Sequence, residues 1–384
     1  MSQESNKTDI PNAPLQAAAP SSRFSAARTV LLDAIEAHAF PGCAFGVLAG
    51  GEVVLEDALG KQTYEAESPT VACDTVYDVA SLTKVVATTA AAMLLHQRGR
   101  LDLNTPLGEL LPGFVIGRPG GDKARHIQLR HLLAHNSGLP GYVEFFRTAQ
   151  TPAALYRACL ELPLEAEPGA RTEYSDPGFI LLGKALEVLT GEYLAPFVRR
   201  EVFEPLNMTS TGFCPAPSKR LAIPPTEERT VLRPRRIQGE VQDENAWMLK
   251  GAAGHAGLFS NVADLLRFAG EILVATSQPA SAEARSCLFA KATIDLFATR
   301  QGPEGSSRAL GWDTPSQPSS SGVLFSPRSI GHLGYSGCSL WIDLAAGIAV
   351  VLLTNRTWPD RAAPTAQLIR QVRPAFHDAV LAAL

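Results

Sequence analysis

A hydroxyl and an amine stand three residues apart near the start of an apolar segment with helical spacing. They belong to Ser81 and Lys84, and residues three apart lie on the same side of a helix. A serine hydroxyl becomes a strong nucleophile when a neighbouring group takes its proton, and burial lowers the pKa of an amine that could do so. The spacing therefore predicts an activated serine with a lysine beside it. The competing interpretation is a helix-capping serine followed by a solvated lysine.

A tyrosine precedes a second predicted helix. In Tyr174-Ser175-Asp176-Pro177, Ser175 or Asp176 can cap the helix, and Pro177 fits its first position. Tyr174 would then be held just outside the helix start, where a nearby cation could lower the pKa of its phenol and allow it to carry protons. The competing interpretation is a packing tyrosine whose hydroxyl donates to a backbone carbonyl.

Glycines recur at every third position from residue 331 to residue 337, and the chain then continues as an apolar strand to Asp343. Glycine within a strand indicates that another backbone approaches closely. The segment is therefore predicted to be a sheet edge that binds an ester or amide substrate and offers a backbone N–H to an oxyanion. The alternative is a glycine-rich hairpin with His332 exposed. An α/β-hydrolase nucleophile elbow is excluded, since Cys338 replaces its last glycine and no strand–turn–helix pattern surrounds it.

Hydrophobic periodicity predicts the elements that would position these residues. Helical segments are expected at residues 25–37, within a loop-rich middle at about 85–250, and from about residue 362 onward. Four short strands in two hairpins are expected at residues 43–48, 53–59, 339–344 and 347–354. The predicted fold class is α+β, an antiparallel sheet built from both chain ends and flanked by helices, with a mostly α-helical insertion.

Composition bounds the possible functions. The chain has 384 residues, 46% of them hydrophobic, which is enough for a sizeable core. A net charge of -4 argues against nucleic-acid binding. The sequence has no signal-peptide layout and no apolar run of about 18 residues, so we expect a cytoplasmic protein without a membrane span. No cluster of His, Cys and carboxylate residues has metal-ligand spacing, so neither a metal nor another cofactor is expected.

The three chemical segments, in this order, resemble those of the serine β-lactamase and penicillin-binding-protein superfamily. The class C β-lactamase-like branch, which includes carboxylesterases, is the most similar. Further segments fit that branch: residues 131–140, residues 254–265 and Leu353-Thr354-Asn355-Arg356. The likeness extends over about residues 23–384. It implies one β-lactamase/transpeptidase-like catalytic domain, with an α/β part at about 23–80 and 255–384 and a helical part at about 81–254. Residues 1–22 are polar and rich in Ala, Pro and Ser, and this composition predicts a disordered tail.

The resemblance also implies a role for each matching residue. Ser81 would be the acylated nucleophile, Lys84 would activate it, and Tyr174 would be the general base or its partner. His332 stands where many relatives have the lysine of a Lys-Thr-Gly triad. The backbone amides of Ser81 and Tyr335 would form the oxyanion hole, where loss of one donor typically costs about a hundredfold in rate.

Substrate contacts are expected from Asp176, Gly334 and Ser336. Asp176 replaces the asparagine of many relatives, and its carboxylate would raise the pKa of Lys84 or repel an anionic substrate. His332 would weaken the positive charge that holds a substrate carboxylate. Both departures disfavour turnover of β-lactams, and both are more compatible with neutral esters as substrates. Three other histidines of the matching segments are expected to be structural, namely His131, His135 and His255.

The predicted function is therefore that of a cofactor-free serine hydrolase that forms an acyl-enzyme on a small ester, β-lactam or D-amino-acid amide. Two alternatives remain open at this point. One is a penicillin-binding or D,D-peptidase-like protein that is acylated at Ser81 but turns over slowly. The other is an inactive scaffold whose cleft binds a partner. The sequence does not determine the oligomeric state or the physiological substrate.

Overall fold

A computed structural model describes residues 22–116, 118, 121–277 and 287–384. The predicted disordered tail therefore lies outside the described residues, apart from Ser22, which begins a short 3-10 turn that ends at Phe24. The strands are β1 Gly42–Ala49, β2 Glu52–Gly60, β3 Tyr77–Asp78, β4 Gly212–Phe213, β5 Leu258–Ser260, β6 Ser329–Leu333, β7 Ser339–Asp343 and β8 Ile348–Thr354. The helices are α1 Ser25–Glu36, α2 Ala90–Gln97, α3 Leu107–Leu110, α4 Gly121–Ala124, α5 Leu129–Leu133, α6 Pro152–Leu160, α7 Asp176–Thr190, α8 Leu194–Val198, α9 Glu244–Met248, α10 Val262–Ser277, α11 Lys291–Ala298 and α12 Ala363–Leu381.

The main sheet joins the two ends of the chain. Its five strands run in the order β2-β1-β8-β7-β6, and every neighbouring pair is antiparallel. In this register Val47 of β1 lies opposite Leu55 of β2 on one side and Val350 of β8 on the other. The α+β class and the assembly of the sheet from both chain ends are confirmed. The glycine-rich segment supplies most of β6, which is one of the two edge strands, and the turn that leads into β7.

Each face of this sheet is covered by helices, and the strands β1, β7 and β8 are accordingly buried along almost their whole length. On one face α1 and α12 pack together, and Phe45 of β1 meets Phe376 of α12 edge to face with ring centroids 5.6 Å apart. On the other face α10 packs against β1 and β8. The larger core continues from there into the helical part, which contains α2 to α9 and the three-stranded sheet β3-β5-β4. The predicted boundaries of the two parts stay a prediction.

The predicted helix after Ser81 is present, but it is built in three pieces. A 3-10 turn covers Ala80–Leu82, a wider π-helical turn covers Lys84–Thr89, and α2 follows until the chain turns at Gly99, whose φ is +67°. Ala80 has a φ of +48°, a region that favours glycine. Such strained backbone persists only where its surroundings hold it, as the Asp78 carboxylate does here by accepting from the Ala80 N–H at 2.9 Å.

Candidate active site

A cleft of about 770 Å³ opens between the helical part and the edge of the main sheet. Ser81 and Tyr174 line it on one side, and His332 and Tyr335 line it on the other. Three segments that are far apart in sequence therefore meet at one opening, as predicted. Below, the side with Ser81, Lys84, Tyr174 and Asp176 is called the helical wall. The side formed by residues 332–338 is called the sheet wall.

On the helical wall, Lys84 is wholly buried and bonds three groups. Its Nζ donates to the Ser81 Oγ at 3.1 Å, to the Asp176 Oδ1 at 2.6 Å and to the His255 backbone carbonyl at 3.0 Å. The interpretation of Lys84 as a solvated surface residue is therefore wrong. The predicted approach of the amine to the serine hydroxyl is present.

Burial by itself predicts a low pKa for Lys84, but the pKa is raised instead, and the reason is Asp176. Burial alone disfavours the charged amine, but the Asp176 carboxylate and its hydrogen bond outweigh burial and leave the pKa of Lys84 above its ordinary 10.5. The effect foreseen for an aspartate at position 176 is thus the one found. Asp176 lines the cleft, but its carboxylate is bonded to Lys84, so its main contact is an ion pair rather than an open substrate site.

Tyr174 is placed by the start of α7, as its sequence predicts. Ser175 caps that helix, because its hydroxyl accepts from the Gly178 N–H at 3.1 Å, and the Ser175 N–H donates to His135 Nδ1 at 3.0 Å. The His135 ring lies 4.5 Å from the Tyr174 ring, centroid to centroid. His135 therefore has the structural role expected of it, and that role is to position the tyrosine.

The phenol of Tyr174 interacts with both Lys84 and Ser81. The Lys84 Nζ also lies 4.8 Å from the Tyr174 ring centroid, within cation–π range. Burial raises the pKa of Tyr174 above 10 even though Lys84 pulls it down. The prediction that a cation would lower this pKa is therefore wrong in its net direction. The resting site therefore contains a neutral phenol beside the Lys84–Asp176 ion pair.

On the sheet wall, His332 is buried rather than exposed, and it is neutral. Burial, followed by the charges of Arg308 and Lys84, holds the pKa of His332 well below its usual 6.5. Its Nδ1 lies 2.8 Å from the Leu333 carbonyl oxygen, so Nδ1 carries the proton and donates. Its Nε2 is left as a buried acceptor with no partner among the described residues. His332 thus supplies no fixed positive charge.

The turn after His332 approaches Ser81 because residue 334 is glycine. A Cβ on Gly334 would stand 2.5 Å from the Val79 carbonyl oxygen, two residues before Ser81, so a side chain there would push the turn away. Tyr335 follows with its side chain half exposed. The Tyr335 N–H, which is predicted to bind the oxyanion, makes no hydrogen bond to any residue in the described part of the chain.

The prediction that Ser336 contacts substrate is corrected. Ser336 is fully buried, its hydroxyl donates to the Asp78 carbonyl at 2.8 Å, and its own carbonyl accepts from the Thr354 hydroxyl at 2.9 Å. The side chain points into the protein because the tight turn at Gly337, whose φ is +103°, turns the backbone at this point. Ser336 therefore fixes the turn against the loop that precedes Ser81.

The other two histidines of the matching segments contact backbone or acidic groups. His131 completes the cap of α5, where its Nδ1 accepts from the Gln128 N–H at 3.1 Å. His255 Nε2 lies 2.9 Å from the Asp243 Oδ1, and His255, through its backbone carbonyl, also fixes Lys84. This contact lowers the pKa of Asp243 to about 2, although burial by itself raises it.

Sequence reasoning missed four arginines that line the cleft, namely Arg308, Arg361, Arg370 and Arg373. The Arg308 guanidinium lies 5.1 Å from the Tyr174 ring centroid, and Arg373 of α12 reaches the turn of the sheet wall. None of these arginines belongs to a recognisable motif, so no local signal could have found them.

Within the described ranges, no group of three or more His, Cys, Asp or Glu side chains could hold a metal ion. Across the same ranges, no helix has the length and apolar character that a membrane crossing requires.

Comparisons with known proteins identify the family of this chain. The sequence pattern of the β-lactamase family matches residues 27–373. The chain is 31% identical to an N-acetylmuramyl-L-alanine amidase of Bacillus subtilis, in a match that covers 83% of this chain and 78% of the relative. It is 30% identical to a Salmonella typhi protein named "Putative D-alanyl-D-alanine carboxypeptidase", in a match that covers 83% of this chain and 79% of that relative.

The fold matches solved structures as well. The hydrolase EstCE1, described as having promiscuous acyltransferase activity, superposes with a TM-score of 0.71 at 23% identity over 92% of this chain and 98% of that one. That likeness shows the shared fold. Together with the family match over residues 27–373, it leads to one conclusion: the chain belongs to the β-lactamase family and is a serine hydrolase of the serine β-lactamase and penicillin-binding-protein superfamily.

Proposed function

We propose that the protein hydrolyses a small ester or a D-amino-acid amide through an acyl-enzyme on Ser81. The observation that carries the proposal is the convergence of three groups in an open cleft: the Ser81 hydroxyl, the Lys84 amine 3.1 Å from it, and the Tyr174 phenol that interacts with both. A nucleophile within hydrogen-bond reach of its activating groups is the signature of covalent catalysis. The names of the Bacillus and Salmonella relatives support an amide or peptide substrate.

The protonation states define the acylation step. Lys84 is charged and Tyr174 is neutral, so neither begins as a free base. The phenol can instead act as a relay. The Ser81 oxygen bonds to the acyl carbon while its proton passes to the Tyr174 oxygen, and the Tyr174 proton passes to the leaving alcohol or amine as the scissile bond breaks. The Lys84 cation stabilises negative charge that develops on the two oxygens.

Deacylation runs the same relay in reverse. Water attacks the acyl carbon, its proton passes to Tyr174, and the Tyr174 proton returns to the Ser81 oxygen as the carboxylic acid leaves. The oxyanion of both steps would bind the backbone N–H groups of Ser81 and Tyr335. Because no neutral amine is ready to activate water, slow deacylation is the second candidate. In that case the protein is a penicillin-binding-like acceptor that is acylated at Ser81 and turns over slowly.

The experiment uses a short-chain nitrophenyl ester, a chromogenic cephalosporin and a peptide that ends in D-Ala-D-Ala. Turnover and intact mass are recorded for the native chain and for Ser81→Ala, with Ser316→Ala, which changes an exposed loop serine, as the matched control. Turnover that Ser81→Ala abolishes and Ser316→Ala keeps supports hydrolysis. A lasting mass adduct on Ser81 without turnover supports the slow acceptor. Equal hydrolysis by Ser81→Ala and the native chain would contradict both.

A further inference from the structure

The turn of the sheet wall is bonded by a buried cation from the last helix. Arg373 of α12 is only 5% exposed. Its Nη2 donates to the Gly334 carbonyl at 2.6 Å and to the Cys338 carbonyl at 2.9 Å, and its Nε donates to the Gly337 carbonyl at 3.1 Å. One guanidinium therefore contacts three backbone oxygens of a five-residue segment.

This cation has no carboxylate partner among the described residues. Its charge is spread over carbonyl dipoles, whereas Lys84 across the cleft is paired with Asp176. Burying a charge costs free energy unless hydrogen bonds compensate for the lost water. Three bonds to one turn supply that compensation, and they also direct a positive field at the peptide groups that accept them.

One of these peptide groups is the one predicted to bind the oxyanion. The Gly334 carbonyl and the Tyr335 N–H belong to the same peptide unit, so a charged donor on the oxygen draws electron density from the nitrogen. Hydrogen bonds that share a peptide group strengthen one another by roughly 10–30% each. The Tyr335 N–H has no acceptor within the described part of the chain and lies at a residue that lines the cleft. It is therefore free to donate to a substrate.

The same contacts fix the orientation of this peptide unit. The Gly334 carbonyl also accepts from the Gly337 N–H at 3.0 Å, which closes the turn, and Gly334 packs directly against the Val79 carbonyl. Without Arg373, the turn would keep these neighbours and the Arg356 guanidinium, which lies 4.4 Å from the Tyr335 ring centroid, but it would lose the cation that bonds its carbonyls. Arg233 provides a comparison, because it is a buried arginine that bonds the carbonyls of Val241 and Gln242. Its contacts are not with the turn that carries the Tyr335 N–H.

We infer that Arg373 is a positioning residue for the hydrolytic reaction: it polarises and orients the Gly334–Tyr335 peptide, so that the Tyr335 N–H stabilises the oxyanion of the transition state. This inference rests on the proposed function, since it needs an acyl-transfer step at Ser81. It assigns to the carboxyl-terminal helix a part in the chemistry that no cleft motif of the sequence indicates.

The test compares Arg373→Met and Arg373→Lys with Phe376→Leu in the full chain. Phe376 lies on the same helix and is buried against Phe45, so its substitution weakens the packing of α12 without removing the guanidinium. The probes are a short-chain nitrophenyl ester, for kcat and KM, and phenylboronic acid, which forms an anionic tetrahedral adduct with an active serine. Melting temperature is recorded for every variant.

Arg373→Met should lower kcat about tenfold to thirtyfold, change KM less than twofold, and weaken boronate inhibition by the same factor as kcat. Arg373→Lys, whose single ammonium cannot reach three carbonyls at once, should lie between Arg373→Met and the native chain, and it answers the question if Arg373→Met does not fold. Phe376→Leu should lower the melting temperature and keep kcat within twofold. The inference is overturned if both Arg373 variants keep the native kcat and boronate affinity, or if Phe376→Leu loses as much kcat as they do. If the native chain neither hydrolyses the ester nor binds the boronate, the proposed function fails, and the inference fails with it.

Discussion

The helical wall of the cleft holds its buried cation by a carboxylate, whereas the sheet wall holds its buried cation by backbone carbonyls. Lys84 and Asp176 form an ion pair of 2.6 Å, and Arg373 bonds three carbonyl oxygens. The charge of Lys84 is largely offset by Asp176, so Lys84 acts mainly through its 3.1 Å hydrogen bond to the Ser81 hydroxyl. Arg373 has no carboxylate partner among the described residues. Its positive charge can therefore polarise the peptide groups whose carbonyl oxygens it contacts. Under the proposed function the two walls would share the reaction: the helical wall would move the protons and supply the Ser81 N–H to the oxyanion, and the sheet wall would supply the Tyr335 N–H.

The largest effect is expected from breaking the ion pair of the helical wall. Lys84→Met should reduce kcat/KM about a thousandfold or more, because proton transfer and charge stabilisation both depend on the amine. It should also lower the free energy of unfolding by about 3 kcal/mol, since Asp176 is left without its cation. Steady-state kinetics and urea unfolding measure the two effects.

The double variant Lys84→Met/Asp176→Asn is the control for that substitution. Removing both charges should restore most of the lost stability, because no unpaired carboxylate remains, and it should restore none of the activity. A double variant as unstable as Lys84→Met would contradict the pairing. Recovery of activity would contradict the role of Lys84.

A side chain on the turn of the sheet wall should have the next largest effect. Gly334→Ala places a Cβ 2.5 Å from the Val79 carbonyl, so the turn must move away from Ser81. A displacement of about 1 Å costs roughly a hundredfold in rate, and we expect kcat to fall by that factor with the chain still folded. Gly212→Ala is the matched control, because a Cβ there meets nothing within 4 Å. Equal kcat for the two variants would contradict the close approach.

Asp176→Asn should change the pH profile rather than abolish activity. Without the carboxylate, burial dominates and the pKa of Lys84 falls, so the cation is lost at lower pH than in the native chain. The alkaline limb of kcat/KM should move to lower pH. At a fixed alkaline pH, kcat/KM should fall about tenfold for each pH unit by which that limb moves. Movement of the acid limb instead would mean that the neutral amine is the base, and the phenol relay would then be wrong.

The smallest effect concerns the neutral histidine of the sheet wall. The pKa of His332 is held well below 6.5 in the folded chain, so below pH 6.5 the unfolded chain binds the proton and the folded chain does not. His332 therefore contributes stability above pH 6.5 that is lost as the pH falls, at about 1.4 kcal/mol per pH unit. His332→Gln should reduce the acid slope of the unfolding free energy by that amount. Urea titrations from pH 7 to pH 5 measure it, and an unchanged slope would show that His332 is protonated in the folded chain.

Elements that depend on local patterns were predictable from the sequence. The hairpin of β1 and β2, the helix after Tyr174 and the final helix lie within a few residues of their predicted bounds. Periodicity, capping residues and turn glycines determine such elements from neighbours in the chain. The three chemical segments were predictable for the same reason, since each is short and contiguous.

The charge states of the site were not predictable with the same reliability. The pKa of Lys84 depends on Asp176, which is 92 positions away in the chain, and the sequence left the balance between burial and ion pairing open. Ser336 was assigned to substrate because its neighbours are, although its side chain bonds the loop at Asp78. Arg308 and Arg373 come close to the other site residues only in the folded chain, because both are far from Ser81 in the sequence. Long-range electrostatics, rather than local structure, limited the prediction.

The pairing of the first strand with the last one has a consequence for the order in which the protein is made. Val47 leaves the ribosome long before its partner Val350, and the turn that faces Ser81 is likewise made long after Ser81 itself. Until then the nascent chain exposes an unpaired β1 edge, and contacts of such large sequence separation form slowly. The side of the cleft that carries Ser81 is therefore made first, and the cleft is completed only when β6, β7 and β8 have joined the sheet.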